Sequence, residues 1–266
     1  MINIGVLEVT TPLKLPYPFI GSAVRGAFGK GLKRVSCTLP SQPCSTCPVR
    51  EGCAYFRLFE EEVPLYRLQF RLGGELKFKV FLFERGIRFA PMAVKALQLG
   101  LERFGIGGEV VKKYQILYNG VAVATPGKIL PFIPTPYQFL PSLDPVRLLK
   151  TETPIRLKSG GLYLRDRLEV ESLLRSIWYR RSRLRGEPVV GRFPFNPDYK
   201  VEKSSFHWVE LIRYSERQRK KLSLGGVFGE LRLEEVDSRT SYLLRLGEVV
   251  GVGEATTFGL GHIVVE

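Results

Sequence analysis

The sequence predicts an α+β fold made of two consecutive domains. The order of periodic segments is β-α-β-β-α-β between residues 1 and 125, and the same order recurs between residues 151 and 266. A proline-rich stretch, residues 126–150, separates the halves and predicts a linker, because proline cannot continue regular structure. The 266 residues also fit two domains of about 130 better than one. Two such units in tandem predict two ferredoxin-like (RRM-like) βαββαβ domains.

The first predicted domain, residues 1–125, carries a four-cysteine insertion over residues 35–60. Alternating apolar residues, a Gly-Gly hairpin and helical apolar spacing define its elements. In order, these are a strand over residues 1–10, a helix over 21–34, strands over 66–71 and 75–83, a helix over 90–104, and a last strand within 113–123.

The second predicted domain, residues 151–266, repeats the pattern and ends with a glycine-rich loop. The same signals place its elements, with boundaries read from apolar spacing and turn residues. In order, these are a strand over residues 155–158, a helix over 166–184, strands over 206–214 and 229–233, a helix over 239–246, and a last strand over 258–265.

The charge of the chain indicates a polyanionic partner. Forty Lys and Arg against 26 Asp and Glu give a net charge of +14 and a pI near 9.8. Nucleic acid and an anionic membrane surface both fit such an excess. The membrane is disfavoured because no apolar run approaches the roughly 18 residues that a span requires. The N-terminus has no basic n-region and carries an acidic residue within its apolar stretch, unlike a signal peptide, so the chain is predicted to be cytoplasmic.

The four cysteines of the chain lie within 17 residues and predict a structural zinc site. Cys37, Cys44, Cys47 and Cys53 include one Cys-x2-Cys pair, a spacing that supplies two thiolates to a tetrahedral metal. Four thiolates would close the site and leave no open position for catalysis. Disulfides, free thiols and an iron–sulfur cluster are alternatives that the spacing leaves open.

The glycine-rich loop near the C-terminus predicts a contact with phosphate. Gly251, Gly253, Gly259 and Gly261 allow positive φ and close approach, and exposed N–H groups in such a loop bind anions. Thr256 and Thr257 add hydroxyl donors. A tight turn between packed elements is the alternative interpretation. No Gly-Lys-Ser/Thr follows, so the loop is not a Walker motif.

Basic and aromatic residues cluster in the second half. Arginines load the predicted helix over 166–184, and Arg213, Arg217, Arg219, Lys220 and Lys221 follow one another closely. Phe206, Trp208 and Tyr214 are available for base stacking. Each basic run could also be a solvated helix face, but its coincidence with the net charge favours a nucleic-acid path. The two histidines, His207 and His262, are the candidates for proton transfer near neutral pH.

These features resemble the RAMP superfamily of CRISPR-associated proteins, and within it the sixth Cas family, an endoribonuclease that processes precursor CRISPR RNA. The Gly-x-Gly-x5-Gly-x-Gly loop and the tandem ferredoxin pattern resemble the superfamily. Three internal stretches resemble the sixth family: GSAVRG at 21–26 with the cysteines after it, ETPIRLK at 152–158, and the segment from Trp208 through RYSERQ at 213–218 to Gly225-Gly226.

The resemblance implies a metal-independent cut within the repeat, in which a 2′-OH attacks its own 3′-phosphate and leaves a 2′,3′-cyclic phosphate and a 5′-OH. Many family members carry a histidine at or just after the first helix, but residues 22–34 contain none. His207 is therefore the first catalytic candidate, with Lys30 and Tyr214 as further candidates. A chain that binds guide RNA without cutting it, as a RAMP subunit of an effector complex, is the alternative.

The resemblance also implies the partner and the residues that would hold it. The expected partner is CRISPR repeat RNA, with an effector complex as a further possibility, and no membrane. The expected oligomeric state is a monomer or homodimer, and catalysis would need no cofactor. The residues expected to contact RNA are Arg25, Arg213, Arg217, Arg219, Lys220, Lys221, Gly251, Gly253, Thr256, Thr257, Gly259 and Gly261.

Overall fold

The computed structural model describes residues 1–14, 19–70, 75–189, 195–215 and 220–266. These residues form two compact units. The first comprises Met1–Leu68 and Leu72–Phe139, and the second comprises Gln69–Arg71 and Leu140–Glu266. Each unit is an antiparallel sheet with two α-helices, as the sequence predicts.

The first unit contains a β-α-β-β-α-β core with three added strands. The core elements are β1 (Ile2–Lys14), α1 (Gly21–Ser36), β2 (Tyr66–Phe70), β3 (Glu75–Phe83), α2 (Ala90–Leu99) and β4 (Gln115–Tyr118), and the added strands are β5 (Val121–Thr125), β6 (Lys128–Ile129) and β7 (Tyr137–Phe139). The sheet order is β2-β3-β1-β4-β5-β6, and β7 pairs with the start of β1. The predicted linker, residues 126–150, thus contains β6, β7 and the first three residues of a further strand, Leu148–Thr151.

Helix α1 forms despite its glycines because they let it approach α2 closely. Val24, Phe28 and Leu32 recur at helical spacing and are buried. A Cβ at Gly31 would lie 2.1 Å from the carbonyl oxygen of Ala96 in α2. Only glycine fits where the two helices cross, so its low helix propensity is offset by the close packing that it allows.

The second unit repeats the core and adds two hairpins. Its elements are β8 (Leu148–Thr151), β9 (Lys158–Ser159), β10 (Leu162–Tyr163), α3 (Val170–Arg185), β11 (Lys200–Val209), β12 (Ile212–Ser215), β13 (Lys220–Ser223), β14 (Gly226–Glu234), α4 (Ser238–Val250) and β15 (Ile263–Val265). The main sheet has the order β11-β14-β8-β15, which matches β2-β3-β1-β4 of the first unit. The prediction of two tandem ferredoxin-like domains is confirmed.

Three predicted strands of the second unit are wrong in position. The strand predicted over residues 206–214 is divided between β11 (Lys200–Val209) and β12 (Ile212–Ser215), which belong to different sheets. The first strand is β8, not residues 155–158, because Leu149 aligns with Leu231 of β14 on one side and with Val265 of β15 on the other. Ile155 makes only an isolated bridge to Val227. The last strand begins at Ile263 rather than at 258, since Thr256–Phe258 forms a 3-10 turn.

Helix α4 begins at a side-chain cap. The Asp237 carboxylate accepts hydrogen bonds from the backbone N–H groups of Arg239 and Thr240, which would otherwise lack partners at the helix start. Burial alone would raise the pKa of Asp237, but hydrogen bonds from Thr240 and from the backbone of Asp198 outweigh it and lower the pKa. Within the described residues, no helix is both long enough and apolar enough to cross a bilayer.

Candidate functional site

The glycine-rich loop connects α4 to β15 in the left-handed conformations that its sequence predicts. Gly251, Gly253, Gly259 and Gly261 have φ between 69° and 84°. A Cβ at Gly261 would lie 1.8 Å from the carbonyl oxygen of Val252, and one at Gly253 would lie 2.4 Å from that of Arg156. The glycines are therefore required for close packing of the loop against its own unit.

The backbone N–H groups of these four glycines are used inside the unit. Gly251 donates to Gly247, Gly253 to the Ser176 hydroxyl, Gly259 to Thr256 and Gly261 to Pro154, at 2.9–3.0 Å. They do not form the open row of anion-binding donors that the glycine spacing predicts. Any contact with RNA must come from other groups of the loop, and the hydroxyl of half-buried Thr257 is better placed for it than that of buried Thr256.

His262 is a packed residue of this loop. It is 5% exposed, and its backbone N–H donates to Thr153 Oγ1, which itself donates to the carbonyl of Gly259. A side chain so enclosed cannot meet a large substrate directly.

His207, unlike His262, is exposed to solvent. It is exposed on β11, an edge strand of the sheet, and its ring meets that of Phe228 on β14, with centroids 6.1 Å apart. Because side chains alternate along a strand, His207 and its neighbour Trp208 occupy opposite faces of the sheet. Lys30, a second catalytic candidate, is exposed on α1 of the first unit, whereas Tyr214 lies on β12.

The candidate RNA-binding residues are only partly described. The guanidinium of Arg213 lies 4.6 Å from the ring centroid of Phe258, and that of Arg25 lies 5.0 Å from Phe59. Lys221 is exposed on β13. Lys220 begins β13, while Arg217 and Arg219 lie outside the described residues.

The arginines of α3 are largely engaged with local partners. Arg175 pairs with Glu171 at 2.5 Å, and Arg181 and Arg185 both pair with Glu187. Arg180 donates to the carbonyl of Val250 at the end of α4, and burial lowers its pKa to about 10. These contacts favour the structural interpretation of this basic run over a nucleic-acid path.

The four cysteines line one small pocket in the first unit. Two short 3-10 turns, Cys44–Thr46 and Arg50–Gly52, bring them together, and all four are half-buried and outside any disulfide. Burial, with Glu60 nearby, raises the pKa of the Cys44 thiol. In the part of the chain that the structure describes, no three His, Cys, Asp or Glu side chains are arranged to hold a metal, so zinc stays a prediction.

One group of functional interest joins Trp208, which the sequence offers for base stacking, to residues that the sequence does not place beside it. The cation–aromatic cluster consists of Arg156, Lys158, Tyr163, Arg165 and Trp208, all in the second unit. Its sequence signal is the alternation of cations with an aromatic over residues 156–165. This alternation does not by itself predict the cluster, because Trp208 reaches the other residues only through the pairing of β11 in the folded sheet.

Two carboxylates accept hydrogen bonds from the aromatic residues of this cluster. Glu254 accepts from the Tyr163 hydroxyl at 2.8 Å and pairs with Lys158 at 3.1 Å; Glu210 accepts from Trp208 Nε1 at 2.9 Å. Hydrogen bonds from Ser223 and Trp208 lower the pKa of Glu210. Burial alone would raise the pKa of Glu254, but Tyr163 and Lys158 outweigh it, and the pKa is lowered.

Comparison with known proteins agrees with this architecture. A Thermus thermophilus Cas6 structure is 19% identical with a TM-score of 0.53, covering 100% of this chain and 98% of that one. A Cas6 product complex is also 19% identical, with a TM-score of 0.54 and coverage of 100% and 99%. A protein of Archaeoglobus fulgidus is 24% identical over an alignment of 276 positions, which covers 92% of this chain and 90% of the relative.

Two family models each match one half of the chain. The tandem ferredoxin-like arrangement is shared with these solved Cas6 structures. Residues 149–263 match the family of CRISPR-associated endoribonuclease Cas6, and residues 5–128 match a family described as an N-terminal domain.

Proposed function

We propose that the protein is an endoribonuclease that cuts precursor CRISPR RNA within the repeat, without a metal ion. The observation that carries the proposal is the Cas6 family match over residues 149–263, which includes β11 with His207. The net charge of +14 supports an RNA substrate, because Lys and Arg neutralise phosphates and release their counterions.

The proposed reaction is an internal transesterification. The 2′-OH attacks the adjacent phosphorus, a bond forms between the 2′-oxygen and phosphorus, and the bond from phosphorus to the 5′-oxygen breaks. The 2′-OH loses a proton and the 5′-oxygen gains one, so the products are a 2′,3′-cyclic phosphate and a 5′-OH. Such a step needs in-line positioning, a base, an acid and stabilisation of charge at phosphorus.

His207 is the residue proposed to accept or donate one of these protons. Its exposure on an edge strand leaves the imidazole accessible to a large substrate, which buried His262 is not. Lys30 and Tyr214 are the further candidates, and Lys30 with neighbouring cations could instead stabilise the charge at phosphorus. Arg213 and Lys221 are proposed to hold the RNA backbone.

A cleavage assay in EDTA tests this proposal. Labelled repeat RNA from the CRISPR arrays of the source genome is incubated with the protein, and the product ends are mapped. A single cut that leaves a 5′-OH is expected. His207→Ala should lower the single-turnover rate by about 10²–10⁴-fold without weakening binding. Ser205→Ala, on the same face of β11, is the matched control and should cut normally.

The second candidate function is a non-catalytic RAMP subunit that binds guide RNA. The observation that favours it is the absence of histidine from α1, where many members of the family carry one. Tight binding of repeat RNA without any cut, in both the wild type and His207→Ala, would establish this function in place of the first.

A further inference from the structure

We infer that the cation–aromatic cluster of the second unit is a stacking platform for the bases of single-stranded RNA. The inference rests on the proposed function only in taking RNA as the ligand. It concerns residues that lie outside the proposed catalytic set, and it can fail while the proposed cleavage stands.

The Trp208 indole is held in one orientation. Its Nε1–H donates to Glu210, and a Cβ at Gly225 would lie 2.5 Å from its Cζ2 atom, so the glycine backbone lies directly against the ring. Trp208 is nevertheless half-buried rather than enclosed. A fixed and partly open ring is preorganised for stacking, because little conformational freedom remains to be lost on binding.

Arg165 extends the Trp208 ring towards solvent. Its guanidinium carbon lies 4.8 Å from the indole centroid, and its side chain is exposed. When one face of a guanidinium packs against an aromatic ring, its other face stays available for a base to stack on. Nucleic-acid bases stack on aromatic rings and on guanidinium planes alike.

Tyr163 is the second aromatic residue of the platform. Its ring lies 6.4 Å from that of Trp208, with Arg156 at 4.0 Å and Lys158 at 4.7 Å from its centroid. Arg156 is fixed in turn by donation to the carbonyl of Gly225. Two neighbouring aromatic rings, each with cations over it, would suit consecutive nucleotides, whose bases stack on the exposed planes of the cluster while their phosphates meet the cations.

The charges of the cluster favour RNA over an acidic protein segment. Three cations face two carboxylates, which leaves a local excess of one positive charge. Glu210 and Glu254 bind the N–H and O–H edges of the rings and not their faces. A ligand with flat faces and phosphates uses both features, and the bases must be unpaired, because a duplex hides their faces.

Fluorescence provides the direct test. The chain has two tryptophans, so Trp178→Phe leaves Trp208 as the only one. Titration of this variant with a single-stranded oligoadenylate RNA or with repeat RNA should quench its emission. The same length of RNA backbone without bases, and heparin, should not. Quenching by heparin equal to that by RNA would contradict base stacking.

Affinity measurements separate stacking from charge. Trp208→Ala should weaken binding of oligoadenylate by about 5- to 150-fold, the range expected for one stacked base. Arg165→Ala and Arg165→Lys should both weaken it, because lysine keeps the charge but lacks the plane. Arg175→Ala removes an exposed arginine of α3 in the same unit and is the matched control, with a smaller effect than Arg165→Ala.

The outcomes are distinguishable. If the wild type cuts repeat RNA but Trp208→Ala and both Arg165 variants bind as the wild type does, the platform is refuted and the proposed function stands. If the wild type neither binds nor cuts repeat RNA, the proposed function fails. Should Trp208→Ala fail to fold, as judged by circular dichroism, the Arg165 variants and the fluorescence titration still decide.

Discussion

Replacing Gly261 with alanine tests whether the glycine-rich loop is required for packing. An alanine at φ +69° costs about 1–2 kcal/mol, because its Cβ crowds the following carbonyl. The Cβ would also lie 1.8 Å from the carbonyl oxygen of Val252, so the backbone must move and disturb the bond from Val252 N–H to Gly261, at 3.0 Å. Overpacking of this kind costs about 1–3 kcal/mol more. The expected loss in free energy of unfolding is about 2–5 kcal/mol.

Gly160→Ala is the matched control in the same unit. Gly160 has φ +57°, but nothing lies within 4 Å of the position of its Cβ. It should lose only the conformational part, about 1–2 kcal/mol. Urea unfolding followed by tryptophan fluorescence gives the comparison, because Trp178 and Trp208 both lie in the second unit. A free energy for Gly261→Ala equal to that for Gly160→Ala would refute the packing argument.

Three further predictions follow from other parts of the chain. Asp237→Ala should destabilise the second unit by about 1 kcal/mol at pH 7 through loss of the α4 cap, while Asp237→Asn keeps most of the capping. The pKa of Asp237 in the folded protein lies below its usual 3.8, so the stabilisation by its carboxylate is present above that pH and is lost as the pH falls through the folded pKa. Urea unfolding of the wild type and Asp237→Asn should therefore show a difference in free energy of unfolding that is smaller at pH 3 than at pH 7. An equal difference at both pH values would contradict the role of the carboxylate as a cap. Metal analysis of protein purified without added zinc should find about one zinc per chain, lost in Cys44→Ser, if the four thiols bind it tetrahedrally; thiols that titrate freely in metal-free protein would count against this. The affinity for repeat RNA should fall by about 10²-fold between about 50 and 200 mM salt if about five phosphates are neutralised, and an affinity insensitive to salt would oppose the basic path.

The fold was predictable from sequence where the signal is local. β3 over Glu75–Phe83 alternates strongly, and α1 has apolar residues at helical spacing, so both were found with nearly correct bounds. β8 was missed because it has only four residues after a run of prolines. Its identity as a strand is fixed by partners in β14 and β15, far along the chain.

The candidate site was predictable in residue type more than in arrangement. The sequence favours His207 over His262 as a catalytic candidate, but only the structure shows that His262 is buried. The sequence could not show that the N–H groups of the loop glycines are bonded internally, since their partners come from Pro154, Ser176 and Gly247 in other segments. The cation–aromatic cluster likewise depends on tertiary pairing that brings Trp208 beside Tyr163.

The central claim is that the protein cuts repeat RNA through the 2′-OH next to the scissile phosphate. The most direct measurement compares cleavage of repeat RNA with that of the same RNA carrying a single 2′-deoxy substitution at the mapped cut, in EDTA. The proposal predicts a 2′,3′-cyclic phosphate and a 5′-OH from the first substrate and no cleavage of the second. Cleavage of the 2′-deoxy substrate at the same position would contradict it.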